Sequence, residues 1–282
     1  MKEQRKGLEL ADARSQEAKL EPAQEQKRNQ VYSLEQSQAK TGNQMEQARI
    51  KAAVLADALP YLRDFNQKII VIGYFCSNFL SGRREQMVMQ DIALLKSVGM
   101  KPVIVHDSRI GADKFRENKR FAKLVELSGV KAVGICGADE ETIRMTLEHG
   151  YIPVITPNDI DTEMLNLDPG DTASEIALML QAEKLIYLSR YSGITWAEGE
   201  QKVLSMTVSE LKLYQKEQQL TPDLSRKISN ILLALEGGVR RAHLIGGKME
   251  HGLLLELFSV LGVGTVIMGD DRELYQHEKG RR

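Results

Sequence analysis

Short apolar runs and longer amphipathic segments alternate along the chain from about residue 67 onward. The apolar runs are rich in β-branched residues and predict strands buried on both faces, at 68–75, 101–106, 130–136, 151–156, 183–189, 241–246 and 264–268. Apolar residues three or four apart predict helices at Val88 to Val98, Ala173 to Leu180 and Leu224 to Leu235. Glycines stand where helices should end, at Gly99, Gly129, Gly150 and Gly262. The repeated strand–helix–strand units predict an α/β fold, a three-layer α/β/α arrangement around an open, mostly parallel sheet.

The N-terminal part of the chain follows neither pattern. Nine glutamines fall within the first fifty positions, among many charged residues, so this part cannot bury enough apolar area to offset its ordering entropy. We interpret it as a low-complexity extension that is disordered or loosely helical. A stripe from Ile50 to Phe65 then predicts an N-terminal helix, which Pro60 should kink or divide. The chain thus divides into a Gln-rich extension at 1–44, a helix at 45–66, a body at 67–270 and a polar tail at 271–282.

Composition excludes several classes of protein. With 38 basic and 39 acidic side chains the formal net charge is −1, whereas a general nucleic-acid binder would be basic. No apolar stretch approaches the length of a membrane span, and the N-terminus lacks the apolar core of a signal peptide. The two cysteines, Cys76 and Cys136, form no C-x-x-C motif, and the five histidines have no metal-ligand spacing. We therefore expect a cytoplasmic protein without a metal site, a nucleic-acid partner or a membrane partner.

Many segments occur in the order, and with nearly the spacing, that is found in acetylglutamate kinases of the amino acid kinase superfamily. The resemblance runs from about residue 46 to 268 and rests on the stretches at 58–74, 91–106, 149–157, 170–189, 192–194, 227–239 and 251–268. It implies the open α/β/α sheet of that family. It also implies the family's reaction, the transfer of the γ-phosphoryl group of MgATP to the side-chain carboxylate of N-acetyl-L-glutamate in arginine biosynthesis.

Two glycine-rich loops of the family are replaced in this sequence. The Lys-x-Gly-Gly motif after the first strand, whose lysine and glycine amides hold the transferring phosphoryl group, reads Gly73, Tyr74, Phe75, Cys76. The His-Gly-Gly-Gly motif after the second strand reads His106, Asp107, Ser108, Arg109. The resemblance therefore marks as degenerate the family positions Gly73, Phe75, Cys76, Asp107, Ser108 and Arg109. The stretch from 109 to 150 is also too short for the family's substrate lid.

Other positions match the family motif and carry its roles as an implication. Lys227 aligns with the second catalytic lysine, and Asp171 aligns with the organising aspartate. The resemblance assigns the nucleotide to Ser189, Gly193 and Lys227, and the substrate to Asn166.

Each of these side chains also has a structural interpretation. Lys227 would otherwise be a solvated surface lysine, and Asp171 would only favour a helix N-terminus beside a capping box from Thr172 to Glu175. Cys76 is either a reactive thiol or a small buried hydrophobe. Arg109 and Arg190 either replace lost phosphate contacts or are surface charges.

The C-terminal segment departs least from the family. It resembles the arginine-effector region of arginine-sensitive acetylglutamate kinases, which places an arginine effector at His251, Glu256, Gly262 and Gly264. Residues 45–66, with Tyr61, resemble the helix that interlaces dimers into a hexameric ring in that family. Alternatively, the leucines and Phe258 of this segment form an ordinary core face. A homo-oligomer follows from the resemblance.

Phosphoryl transfer depends on positioning and charge stabilisation. Losing one preorganised donor costs about 2.7–4 kcal/mol in the barrier, and here a lysine and two donor loops are replaced together. We therefore predict a catalytically impaired homologue that binds arginine or nucleotide as a regulatory or assembly subunit, alone or with an active acetylglutamate kinase. The alternatives are a genuine acetylglutamate kinase with substituted residues, and a non-catalytic interaction protein whose Gln-rich extension recruits partners.

Overall fold

The computed structural model describes residues 45–46, 49–50, 52–53, 56–109, 112–137, 139–157, 168–196, 201–259, 262–271 and 274–275. The chain divides into two units, Met1–Asp57 and Ala58–Arg282, and the described strands all lie in the second. In the first unit, the described residues between 45 and 57 are helical. The Gln-rich extension at 1–44, Asn166 and most of the polar tail lie outside the described residues.

The second unit alternates strands and helices. The described strands are β1 (Ile69–Tyr74), β2 (Lys101–His106), β3 (Ala132–Cys136), β4 (Ile152–Thr156), β5 (Lys184–Ser189), β6 (Ser205–Thr207), β7 (Arg241–Gly246) and β8 (Thr265–Met268). The helices between and after them are α1 (Arg83–Ser97), α2 (Lys114–Glu126), α3 (Glu140–Glu148), α4 (Pro169–Met179), α5 (Val208–Glu217), α6 (Pro222–Glu236) and α7 (Gly252–Phe258).

Residues 58–65, just before β1, are helical as well. Pro60 lies inside this stretch and does not divide it, contrary to one of the two expectations from the sequence. Proline removes one backbone hydrogen bond, but Tyr61 and Phe65 are buried in the core and hold the following turn.

The strands form one sheet in the order β3-β4-β2-β1-β5-β7-β8-β6. Every neighbouring pair is parallel except β7 and β8, which are antiparallel. In the centre, Ile72 of β1 lies opposite Ile104 and Ile186 of its two neighbours, and all three are fully buried. The predicted α/β class, the mostly parallel sheet and all seven predicted strands are confirmed. The sequence pattern missed β6, because three residues at the sheet edge carry too short an alternation.

Helices cover both faces of the sheet, which gives the predicted three layers. Ile70 and Ile72 of β1 pack on one side with residues of α1, α2 and α7, whereas Val71 packs on the other side with residues of α3, α4, α5 and α6. The three predicted helices correspond to α1, α4 and α6. Gly99, with φ 95°, follows α1 in the left-handed region, as the sequence predicted for a helix end. Among the described residues, no helix is long and apolar enough to cross a membrane.

Candidate active site

A small cleft opens at the carboxyl ends of the central parallel strands, where ligands bind in open α/β sheets. It measures about 120 Å³ and is lined by Phe75, Asp107, Asp168, Pro169, Ser189, Arg190, Asp223 and Lys227. The lining comes from the end of β5, from the loops after β1, β2 and β5, from the start of α4 and from the first two turns of α6. The fold therefore brings Lys227, Ser189, Phe75 and Asp107 together, four positions that the sequence assigned separately.

Lys227 stands in the second turn of α6. Thr221 caps the helix by accepting a hydrogen bond from the backbone N–H of Leu224 (3.3 Å). The Lys227 side chain is only 9% exposed, and its ammonium donates to the Asp223 carboxylate one turn earlier. The same Nζ lies 5.2 Å from the centroid of the Phe75 ring. Lys227 is thus a buried cleft residue, and its interpretation as a solvated surface lysine is wrong.

Asp171 lies in the first turn of α4 and ties that helix to α6. Its carboxylate accepts hydrogen bonds from Arg226 Nε (3.0 Å) and Asn230 Nδ2 (2.7 Å). Burial alone would raise the pKa of Asp171, but these two donors outweigh burial and lower it below its usual range. Asp171 therefore organises the α4–α6 pair through Arg226 and Asn230.

The predicted capping box from Thr172 to Glu175 is wrong. The N-cap of α4 is Asp168, whose side chain accepts from the Gly170 N–H (2.7 Å), and Pro169 occupies the first helical position. Pro169 starts the helix three residues before Thr172 and six before Glu175, which leaves Thr172 inside it.

The ring of Phe75 fills the corner of the cleft between β1, β5 and α4. It packs edge-on against the Tyr187 ring, with centroids 5.1 Å apart. A Cβ placed on Gly73 would lie 2.5 Å from Phe75 Cζ, and one on Gly170 would lie 4.0 Å from it. A side chain at position 73 would therefore force the Phe75 ring, which folds back over Gly73, to move. The ring occupies the position to which the resemblance assigns a phosphoryl-binding glycine.

Cys76 is a packing residue. Its side chain is fully buried, and Sγ donates to the Leu188 carbonyl oxygen (3.4 Å). Burial raises the pKa of the thiol far above its ordinary value. A Cβ on Gly247 would approach Sγ to 2.4 Å, so the thiol fills the space beside β7. The interpretation of Cys76 as a reactive thiol is wrong.

The loop after β2 is fixed to the loop after β1. The Asp107 carboxylate accepts from the Ser77 N–H (3.1 Å), and Ser77 Oγ donates to the Asp107 carbonyl oxygen (2.9 Å). Burial raises the pKa of Asp107. The Ser108 carbonyl oxygen accepts from Asn78 Nδ2 (3.5 Å). These contacts hold the loop with the Asp107 side chain toward the cleft.

Arg109 points elsewhere. Its guanidinium lies 3.6 Å from the Glu85 carboxylate and 3.9 Å from the Glu117 carboxylate, on α1 and α2. It does not line the cleft, so the expectation that it replaces lost phosphate contacts is wrong, whereas Arg190 does line the cleft. The stretch from 109 to 150 forms α2, β3 and α3.

The loop after β5 is tied to the start of α6. Ser189 is buried, and its Oγ accepts from the Tyr191 N–H (3.2 Å). The Tyr191 hydroxyl is hydrogen-bonded to Thr221 Oγ1 at 2.9 Å, which bridges the two elements beside the cleft. Gly193 (φ 132°) is not among the lining residues, and a Cβ there would lie 2.7 Å from Lys202 Cδ. Its position serves the packing of this loop.

Comparisons with known proteins agree with this architecture. The amino acid kinase family model matches residues 120–246. The acetylglutamate kinase of Thermoanaerobacter pseudethanolicus is 32% identical over 277 residues, which cover 77% of this chain and 93% of that protein. The acetylglutamate kinase of Syntrophomonas wolfei is 31% identical, covering 78% and 98%. The chain belongs to the amino acid kinase family and is acetylglutamate kinase-like.

Two solved structures share the fold of this acetylglutamate kinase-like protein. N-acetylglutamate synthase from Neisseria gonorrhoeae aligns with a TM-score of 0.65 and 23% identity, over 78% of this chain and 63% of that one. Carbamate kinase from Giardia lamblia aligns with a TM-score of 0.56 and 11% identity, over 72% and 99%. At these identities the two structures support the fold alone.

The family implies MgATP, but the cleft of the acetylglutamate kinase-like protein does not fit its transferring phosphoryl group. The ring of Phe75 fills the corner of the cleft, and Lys227 is paired with Asp223. The Asp168 carboxylate already accepts a hydrogen bond from the Gly170 N–H at the start of α4. The lining also carries three carboxylates against two basic side chains. Within the described ranges, no group of three or more His, Cys, Asp or Glu side chains could hold a metal ion.

Three of the residues to which the resemblance assigns an arginine effector, Glu256, Gly262 and Gly264, lie together in a separate cluster. Glu256 Oε2 accepts from the N–H groups of Val263 (2.7 Å) and Gly264 (2.8 Å), and Oε1 accepts from His243 Nδ1 (2.7 Å). Burial would raise the pKa of Glu256, but these donors lower it to about 2. Gly262 (φ 62°) closes the loop, where a Cβ would lie 2.9 Å from Glu256 Oε2.

His251 does not join this cluster. Its Nδ1 lies 2.7 Å from Asp91 Oδ1 on α1. His243 and Lys184 were not predicted as members of this cluster, and Lys184 Nζ lies 3.2 Å from His243 Nε2. The sequence did contain a signal for them. Both are polar residues within apolar strand runs, and a polar side chain buried there requires a hydrogen-bond partner.

Proposed function

We propose that this acetylglutamate kinase-like protein is catalytically impaired and works as a regulatory or assembly subunit in the cytoplasm. The observation that carries the proposal is the state of Lys227, the catalytic lysine of the family that this sequence retains. Its ammonium is held by Asp223 and covered by the Phe75 ring. A lysine that stabilises developing phosphoryl charge has to face the ligand, so these contacts oppose that role.

The proposed effector is arginine, at the cluster around Glu256. The carboxylate is ionised at all ordinary pH values, and an ionised carboxylate makes strong charge-assisted hydrogen bonds to a guanidinium. It already accepts three hydrogen bonds, out of about four lone-pair positions. We therefore expect arginine to bind weakly unless His243 moves. MgATP is the less favoured ligand, because the groups that would meet its phosphates are engaged within the chain.

The test of the subunit role is to mix the purified protein with an active acetylglutamate kinase. We expect a hetero-oligomer by light scattering, with a changed arginine response of the active enzyme. The matched control is the Glu256→Gln variant, which should still assemble but should alter the arginine response. Unchanged mass and unchanged activity of the active enzyme would contradict the role.

A second function is favoured by one observation. The identity of about 30% to acetylglutamate kinases extends over most of the chain. This supports a genuine acetylglutamate kinase with substituted residues. It requires Phe75 and Asp223 to leave Lys227 when substrate binds.

A further inference from the structure

We propose that Phe75 is the specificity-determining residue that excludes phosphate-bearing ligands from the cleft. The inference deepens the proposed function and rests on it. It says that the cleft is blocked by a side chain of the protein itself, in addition to the donors that the sequence has lost. The block is therefore reversible by a single substitution.

The ring of Phe75 is enclosed by neighbouring groups of the cleft. Phe75 is bounded by two glycines and by Tyr187 and Lys227, at the contact distances given above. Gly73 and Gly170 present bare backbone to the ring. Removing the ring therefore opens a space whose walls are the end of β1 and the first turn of α4, with an ammonium group facing it.

The space left by removal of the Phe75 ring would suit an anion. Anions bind where an ammonium and the N-terminus of a helix meet, and here the ammonium of Lys227 would supply most of the attraction, because Asp168 already accepts the Gly170 N–H at the start of α4. In the intact protein the face of the Phe75 ring satisfies part of the Lys227 charge. Without the ring, a phosphate group would replace this contact as a second partner of the ammonium beside Asp223, whereas an apolar ligand would add no charge interaction.

The carboxylates of the cleft oppose the binding of an anion. Asp223 pairs with Lys227, and Asp107 and Asp168 line the same cleft, so the carboxylates weaken anion binding even after the ring is removed. We therefore expect the Phe75→Gly variant to gain binding of moderate affinity. A second substitution, Asp223→Asn, should tighten it further, because it removes the competing carboxylate while keeping the side-chain shape.

The experiment is calorimetric titration of inorganic pyrophosphate, without metal, into the full chain at low ionic strength. The variants are Phe75→Gly, Phe75→Ala and the matched control Phe75→Leu, which keeps an apolar side chain in the corner. We expect Phe75→Gly or Phe75→Ala to bind at least tenfold more tightly than the wild type and Phe75→Leu. The further substitution Lys227→Met should abolish the gain.

Three results would overturn the proposal. The first is wild-type binding as tight as that of Phe75→Gly. The second is the lack of any gain in whichever of Phe75→Gly and Phe75→Ala keeps a cooperative thermal transition. The third is a gain that survives Lys227→Met. Because pyrophosphate binding involves no turnover, these results are distinct from a failure of the proposed function, which would appear as kinase activity of the wild type.

Discussion

His106 and His243 are fully enclosed in the protein, and burial lowers the pKa of each imidazole to about 4. His106 Nδ1 donates to the Asp107 carbonyl oxygen (2.8 Å), Asn118 Nδ2 donates to its Nε2 (3.2 Å), and the ring stacks on Phe121. Both nitrogens are thus satisfied in the neutral form, and a proton would break one of these bonds. Both histidines are therefore uncharged at neutral pH.

This predicts loss of stability in mild acid. The unfolded state binds more protons than the folded state between pH 6.5 and about 4, so the free energy of unfolding falls as pH is lowered through that range. Each histidine contributes on the order of 3 kcal/mol to the loss. Urea unfolding at pH 7, 5.5 and 4.5 measures it, and His106→Gln should show a shallower decline. A flat profile for the wild type would contradict the burial of the neutral rings.

Resemblance to a family located several of the cleft residues, but not their partners. Lys227 and Phe75 could be placed by motif, whereas the pairing of Lys227 with Asp223 and with the ring depends on the rotamers of a folded site. The cluster of Glu256 and His243 joins residues from different elements in the same way. The spacing of residues in the sequence does not predict contacts between different elements. For Arg109 it suggested a contact with phosphate, whereas the side chain faces Glu85 and Glu117.

Helix starts are the best example of what local sequence decides at the scale of the element. Thr207 and Glu210 form a capping box at α5, with hydrogen bonds of 3.2 and 2.7 Å between each side chain and the other residue's N–H. At α4 the similar pattern from Thr172 to Glu175 is inactive, because Pro169 starts the helix earlier. The same pattern thus has two outcomes, decided by a neighbouring proline.

Alanine substitutions of Thr207 and Thr172 should have different effects on the free energy of unfolding. We expect Thr207→Ala to lower the free energy of unfolding by about 1 kcal/mol, since an N-cap is lost. Thr172→Ala should change it by less than about 0.5 kcal/mol, because Thr172 lies inside the helix. Chemical denaturation of both variants checks this, and equal losses would contradict the assignment of the α4 cap to Asp168.

At the scale of the whole molecule, the parallel sheet was predictable because its strands are buried on both faces and read as continuous apolar runs. The helices α2, α3 and α5 were not predicted from periodicity. They are rich in charged residues, and only a few side chains of each reach the core, such as Phe121 of α2 and Leu211 of α5. The order of the strands follows from the crossovers, which no single segment encodes.

The measurement that tests the central claim most directly is turnover by the intact protein. ADP release is followed with MgATP and N-acetyl-L-glutamate, with the Syntrophomonas wolfei acetylglutamate kinase assayed in parallel. We predict no substrate-dependent ADP release above background, because Lys227 is paired with Asp223 and covered by the Phe75 ring. Turnover within tenfold of the reference enzyme would contradict the claim and show that the substituted cleft still catalyses phosphoryl transfer.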